Sequence, residues 1–428
     1  MENRQSLIDN KSIHCISEVE EEPPGKCVLG SDAAEEPPGK QLTGRQKLFG
    51  DVADRDWNDW KWQFRHRITT VKRLAEFIPL SDKQQQDLKL VTMRYPLSIT
   101  PYYLSLIDTD NPDDPVMKQA MPSILELTMG QIGQEDPLSE ERDSVVPGLV
   151  HRYPDRVLMV LTDICPMLCR HCTRKREWRH GGWVRTAEEV EAMLDYIRRH
   201  KAIRDVILSG GDPLSLSTHF LETVLSRLRQ IPHVEIIRIG TRYPVVLPQR
   251  VDDELCAMLS KYSPIWLNTH FNSHREVTPE AAAACDRILR SGIPVNNQSV
   301  LLRSVNDSVQ KQKELCHALL RIKVRPYYLF QCDEVQGTEH LRTPVETGME
   351  IMRGMRGYTS GLAVPTFVID LPNGGGKVPV QLDYIVTQTE DGLLVTNYRG
   401  HIFRCHNPRQ DTYPLAETEV VDAARAIV

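Results

Sequence analysis

The chain predicts an α/β fold in which parallel strands form a barrel or partial barrel with helices outside. Two observations carry that class. Seven apolar, strand-like runs alternate with amphipathic helical segments between about 157 and 371, and the residues with chemical potential fall where those runs end. The runs are VLMVLT (157–162), DVILSG (205–210), EIIRIG (235–240), IWLNTH (265–270), NQSVLL (297–302), PYYLFQ (326–331) and PTFVID (365–370). Between the first two, Val190, Met193, Leu194 and Ile197 recur at helical spacing, and Thr186 with Glu189 fits a capping box at the helix start. Thr278-Pro279 opens a later helix, since a first-turn residue needs no amide hydrogen. In barrels of this kind the working side chains collect where strands lead into helices.

The flanks read differently. Residues 1–44 are expected to be a disordered acidic tail: EEPPGK stands at 21–26 and again at 35–40, and such composition buries too little apolar surface to offset ordering entropy. A passive tail is favoured there over a docking segment. Residues 45–145 read as mostly helical, with Trp57, Trp60, Trp62 and Phe64 in a charged context and a loop from Ile107 to Pro115; this is a packing or assembly module without chemistry of its own. The barrel takes 146–380, and 381–428 is a C-terminal extension.

Composition excludes several functions. With 52 Lys+Arg against 58 Asp+Glu, the net charge of −6 offers nucleic acid no basic footprint. No run of about 18 apolar residues exists to span a membrane. The first residues lack an apolar signal core and are too acidic for a transit peptide. Ten cysteines in 428 residues, three of them crowded, do not make a secreted disulfide framework, which predicts a cytoplasmic protein.

The crowded three follow the first strand directly: C-P-M-L-C-R-H-C places Cys165, Cys169 and Cys172 with gaps of three and two. Three thiolates in one short loop can hold a [4Fe–4S] cluster and leave one iron open to an outside ligand. A zinc knuckle completed by His171, or unrelated buried thiols, is the alternative, although zinc favours paired C-x₂-C spacing. The second run ends in Ser209-Gly210-Gly211-Asp212, where glycines let backbone approach a ligand. The last run leads into Asp370-Leu-Pro-Asn-Gly-Gly-Gly-Lys377, which puts an amine on a flexible loop at the mouth, fit for a Schiff base with an aldehyde. A P-loop is excluded because Val378 follows the lysine.

The cysteine triplet resembles the signature of radical S-adenosylmethionine (SAM) enzymes, and the chain from about 88 to 405 resembles the lysine 2,3-aminomutase family. The resemblance rests on PLSITPYYLSLID (96–108), VPGLVHRYPDRVL (146–158), CRHCTRK (169–175), NTHF (268–271), NQSVLLRSVND (297–307), RPYYLFQCD (325–333) and PTFVIDLPNGGGKVP (365–379). It implies a partial (β/α)6-type barrel and an isomerase that shifts an α-amino group to the β-carbon, using a [4Fe–4S] cluster, SAM and pyridoxal 5′-phosphate (PLP). It further implies that Cys165, Cys169 and Cys172 bind the cluster, and that Lys377 links to PLP while Arg152 and Arg156 hold its phosphate. Ser209, Gly210, Gly211, Asp212, His270 and Gln298 would line the SAM pocket. Arg174 would bind the substrate carboxylate.

Asp333 and Asp370 match positions that bind the distal ammonium of lysine, whereas glutamate 2,3-aminomutases carry lysine and asparagine there. Two acidic groups argue for a basic amino acid, lysine first and arginine second. The competing reading is that Asp370 pairs with Lys377 or caps the next turn. A radical SAM enzyme that abstracts hydrogen without PLP, and an inactive scaffold, also stay open. The family's additional zinc site is not expected, because Ser308 follows the VND segment and only Cys405 lies beyond 380. A homo-oligomer is expected, with an electron donor such as flavodoxin or ferredoxin.

Overall fold

Each of the seven apolar runs becomes a strand, and together they make one parallel sheet. A computed structural model describes residues 44–129, 132–179, 181–389 and 392–407. The strands are β1 (Ser144–Val146), β2 (Leu149–Tyr153), β3 (Arg156–Val160), β4 (Asp205–Ser209), β5 (Ile236–Gly240), β6 (Ile265–Thr269), β7 (Val295–Leu301), β8 (Arg325–Gln331), β9 (Thr366–Leu371) and β10 (Gly376–Pro379). They hydrogen-bond in chain order from β1 to β10. Strands β3 to β9 are parallel, giving six strand–helix units and a closing strand. Antiparallel strands flank them, β1 and β2 on one side and β10 on the other, which the apolar runs did not reveal. Strands β11 (Ile385–Thr389), β12 (Gly392–Thr396) and β13 (Ile402–Cys405) form a separate antiparallel sheet.

The helices form where their sequences direct. The one at Ala187–Arg199 starts at Thr186, whose side chain accepts from Glu189 N while Glu189 reaches back to Thr186 N at 2.8 Å. Its buried face is Val190, Met193, Leu194 and Ile197, which belong to the same core as Leu208 and Ile237 of the sheet. Each such side chain contributes roughly 1.5–3 kcal/mol by leaving water. Pro279 opens the helix at Pro279–Arg290 and Thr278 caps it, as read from sequence. Ser308 caps the helix at Val309–Arg321.

Burial alternates along β3, β4 and β5, with one face packed on helices and the other half-buried. Arg156, Ile207, Arg238, Gln298, Tyr328 and Phe330 belong to the half-buried row. Arg156 on β3 and Arg238 on β5 both act electrostatically on Tyr328 of β8, so the sheet curves these distant strands toward one concave side. The helices from Gly44 to Thr128 share the core of the sheet, with Leu74, Tyr103 and Leu104 fully buried in it. Most of the expected tail lies outside the described residues, as do 408–428; Gly44, its last residue, already opens a helix. No described helix is long and apolar enough to cross a membrane.

Candidate active site

The cysteine loop leaves the sheet just past β3 and is clamped by the N-terminal helical region. Arg67 Nη1 donates to Cys165 O at 2.8 Å, Leu168 N to Ser98 O at 3.0 Å, and Arg170 N to Gln119 O at 2.9 Å. Arg170 is wholly buried and grips Glu126 with two nitrogens, at 2.9 and 2.5 Å. Lys175 adds a second cation to Glu126 at 2.8 Å. The region read as a packing or assembly module therefore fixes the loop that carries the cysteines.

Cys165, Cys169 and Cys172 are free and half-buried. Burial, and next the neighbouring Cys169, push the Cys172 thiol up to about 11. Burial, then Asp212 and the other two cysteines, raise Cys165 further. Thiols that raise one another lie close together, and keeping them as thiolates takes positive charge among them. Two donors already point at the sulfurs: Arg174 N at 3.3 Å from Cys172 Sγ and Arg242 Nη1 at 2.8 Å from Cys169 Sγ.

The strip at 209–212 packs on the segment that feeds this loop. Gly211 N donates to Thr162 O at 2.5 Å and Asp212 N to Ile164 O at 2.8 Å. Gly210 has φ +150, and a Cβ there would lie 2.3 Å from Thr162 O. The glycines thus admit neighbouring backbone, a role the sequence reading had given to ligand approach. Asp212 is buried and its carboxylate accepts from Thr241 Oγ1 (2.7 Å), Arg242 N (2.7 Å) and Leu214 N (3.0 Å); burial still lifts it to about 6. Those oxygens brace the β5 exit. Ser209 Oγ and Gly210 O instead accept from Arg174 Nη1, at 3.3 and 3.0 Å. His270 lies against the backbone of Gln298, and burial, followed by the Arg242 charge, lowers it to about 4.

Arg174 is held by a residue that sequence reading missed. Glu140 accepts from its Nε at 2.8 Å and Nη2 at 2.6 Å, and from Arg176 at 3.1 Å. Burial alone would raise this carboxyl, but the two arginines outweigh it and hold it at about 2. These groups border a cleft of about 250 Å³ that also meets Val160 and Trp183.

Lys377 lies on β10, not on the loop expected from the glycines. Asn373 (φ +56), Gly374 (φ +69) and Gly376 (φ +83) turn the chain sharply, and β10 pairs back on β9 with Lys377 opposite Asp370. Lys377 Nζ lies 2.7 Å from each Asp370 oxygen, the ion pair weighed as the competing reading of Asp370. The same Nζ is 4.3 Å from the centre of the Phe330 ring, and Lys377 N donates to Tyr153 Oη at 2.8 Å. Asp333 stands two residues past β8. No Lys, Arg or His is ion-paired with it among the described residues. Burial, then the Asp370 charge, push it up to about 7. Arg152 reaches Asp143 at 2.8 Å and Leu138 O, while Arg156 meets Asp155 at 2.8 Å and lies 3.8 Å over the Tyr153 ring.

With this geometry in place, comparison with known proteins is informative. The Radical SAM superfamily model matches residues 159–311, and the Lysine-2,3-aminomutase model matches 352–425. The L-lysine 2,3-aminomutase of Clostridium subterminale is 52% identical over 367 residues, 86% of this chain and 88% of the relative. The chain belongs to the lysine 2,3-aminomutase family. The L-lysine 2,3-aminomutase of Acetoanaerobium sticklandii is 51% identical over 86% of this chain and 89% of its own length. The glutamate 2,3-aminomutase of Clostridioides difficile is 40% identical over 88% of this chain and 90% of its own.

The residues present suit the cofactors of a lysine 2,3-aminomutase family member. Among the described residues no three His, Cys, Asp or Glu groups converge on a single metal ion. A cluster asks for less convergence, since each cysteine takes its own iron. At the other end the Lys377 amine lies over the Phe330 ring and its backbone N–H meets Tyr153, whose ring carries Arg156, a setting compatible with a phosphorylated aromatic aldehyde.

Proposed function

We propose that the chain is a radical SAM, PLP-dependent 2,3-aminomutase converting L-lysine to β-lysine. The family brings a [4Fe–4S] cluster, SAM and PLP. When bound, the cluster and SAM supply one-electron chemistry that ends in hydrogen abstraction, and PLP supplies a conjugated system through which nitrogen can change carbon. Cys165, Cys169 and Cys172 would hold the cluster, and Ser209, Gly210, Gly211, His270 and Gln298 would meet SAM. Lys377 would carry PLP, with Arg152 and Arg156 on its phosphate; Asp212 shapes the strip from behind.

The observation that carries the substrate reading is that Asp333 and Asp370 are close enough to act on one another and both feel the Lys377 charge, which is ion-paired with Asp370 alone. Once the lysine amine is committed to a cofactor, Asp370 loses its partner and both carboxylates face the site unpaired. Two such groups repel unless a cation enters. The distal ammonium of lysine fills that vacancy, while Arg174, oriented by Glu140, meets the carboxylate at the other end. An acidic side chain would be repelled. A cytosolic setting, a homo-oligomeric assembly and a flavodoxin- or ferredoxin-like donor complete the proposal.

The reading is tested by an anaerobic panel: reconstituted protein with SAM, reductant and lysine, arginine or glutamate, with products identified by mass. β-Lysine is expected as the main product. β-Arginine alone would transfer the reading to the longer base, and turnover of glutamate by the intact pair would refute it.

A pH dependence follows. Asp333, raised from 3.8 to about 7, carries a proton below that pH and then offers an ammonium no charge. Lysine binding therefore weakens as pH falls, by about tenfold per unit below the midpoint. Removing the Lys377 charge takes away a group that lowers this pKa, which moves the midpoint upward. The lysine KM measured from pH 6 to 9 should fall and level off, and Asp333→Asn should flatten that slope.

A further inference from the structure

We propose that Arg242 sets the reduction potential of the cysteine-held cluster, as a buried cation fixed against Cys169. The inference deepens the functional reading and rests on its assignment of the cluster to Cys165, Cys169 and Cys172.

Arg242 follows β5 in the segment Gly240-Thr-Arg-Tyr-Pro, which carries no recognisable motif. Its side chain is 8% exposed, and every guanidinium nitrogen has a partner. Nη1 donates to Cys169 Sγ at 2.8 Å, and Nε to His270 O at 3.0 Å. Nη2 meets Gln119 Oε1 at 2.5 Å and Glu276 Oε1 at 2.7 Å. The backbone N is held by Asp212 at 2.7 Å.

Glu276, the counter-charge, is itself immobile. It is fully buried and accepts from Tyr103 Oη at 2.7 Å, Asn272 N at 2.7 Å and Ser273 N at 2.8 Å. Arg242 is thus held in place by groups from the segments that follow β4 and β6 and from the N-terminal helices, and none of those contacts needs a ligand. The Cys169 contact is the one left over from this scaffold.

Reducing a cluster adds one negative charge. A cation at hydrogen-bonding distance from a ligand sulfur stabilises that added charge, and in a buried setting little water screens it. The backbone N–H of Arg174 on Cys172 brings a dipole, and the Arg174 and Lys175 charges act on that sulfur without a hydrogen bond to it, whereas Arg242 donates from its guanidinium directly to Cys169 Sγ. Arg242 is therefore a positioning residue of a particular kind: it acts on the electron acceptor through one ligand and touches no substrate. Glu276 opposes it from the far side of the guanidinium.

The test is a redox titration of the full chain, reconstituted anaerobically and followed by the paramagnetic signal of the reduced cluster. Arg242→Gln should keep full iron content and shift the midpoint downward. At the poise where the parent is half reduced, its reduced-to-oxidised ratio should fall about tenfold, which is 59 mV for one electron. Arg242→Lys should recover part of the shift, and Glu276→Gln should move the midpoint upward. An unmoved midpoint in an iron-replete Arg242→Gln protein overturns the proposal. Should that variant fail to load, Glu276→Gln decides alone: an upward shift supports the assignment, and no shift or a downward one refutes it. A parent chain that assembles no cluster would instead defeat the cysteine assignment, and iron analysis distinguishes the two failures.

Discussion

Replacing Lys377 by alanine should reduce turnover by about three orders of magnitude or more, on the order of 4 kcal/mol at 1.36 kcal/mol per decade. The same change should erase the near-visible absorbance of bound PLP and its trapping by borohydride. The argument is local. Nζ projects from β10, just past the tight turn at Asn373–Gly376, onto Asp370 and the Phe330 ring. An amine paired with a carboxylate must give up a proton, for which Asp370 at 2.7 Å is the acceptor at hand, before it can act as a nucleophile. Lys377→Arg keeps the ion pair but cannot form the carbonyl adduct, so it should retain the fold and lose the band. Spectra of both variants after incubation with PLP, alongside thermal melting, separate loss of chemistry from loss of structure.

The second large effect concerns the carboxylate pair. Asp333→Asn or Asp370→Asn should each lower kcat/KM for lysine by about 100-fold. Breaking one partner of a buried charge pair costs roughly 3–5 kcal/mol, and the lower end applies because both groups are half-buried. The double variant should fall short of the product of the two, since the groups act on one ammonium and on each other. Steady-state kinetics with lysine and glutamate checks this. The single variants should lose lysine selectivity mainly through KM, with the fold intact by melting temperature.

The strands were legible because their apolar runs are continuous and the intervening helices declare their caps, as at Thr186 and Thr278. The cysteines, the strip and Lys377 stood out because their spacing is local. What failed to show depends on the chain meeting itself. β10 is four residues long and exists only because it pairs with β9, so its glycines read as a loop. Glu140 and Arg242 are lone charged residues whose partners, Arg174 and Cys169, lie 34 and 73 positions away. The clamp of Arg170 and Lys175 on Glu126 likewise crosses 44 and 49 positions, which hid the service the N-terminal helices give to the cluster loop. The Asp370–Lys377 ion pair was foreseen as a rival to substrate binding, and it is present; under the proposed function the same carboxylate would serve the amine first and the substrate afterwards.

The central claim is that the cysteine loop and Lys377 serve one cavity, so that SAM and the PLP-bound amino acid meet. The direct measurement is to supply SAM deuterated at its 5′ carbon, with reductant and unlabelled lysine, and to weigh the β-lysine formed. Deuterium in the product is the expected result. β-Lysine that stays unlabelled through repeated turnovers, while the SAM keeps its deuterium, would contradict the account.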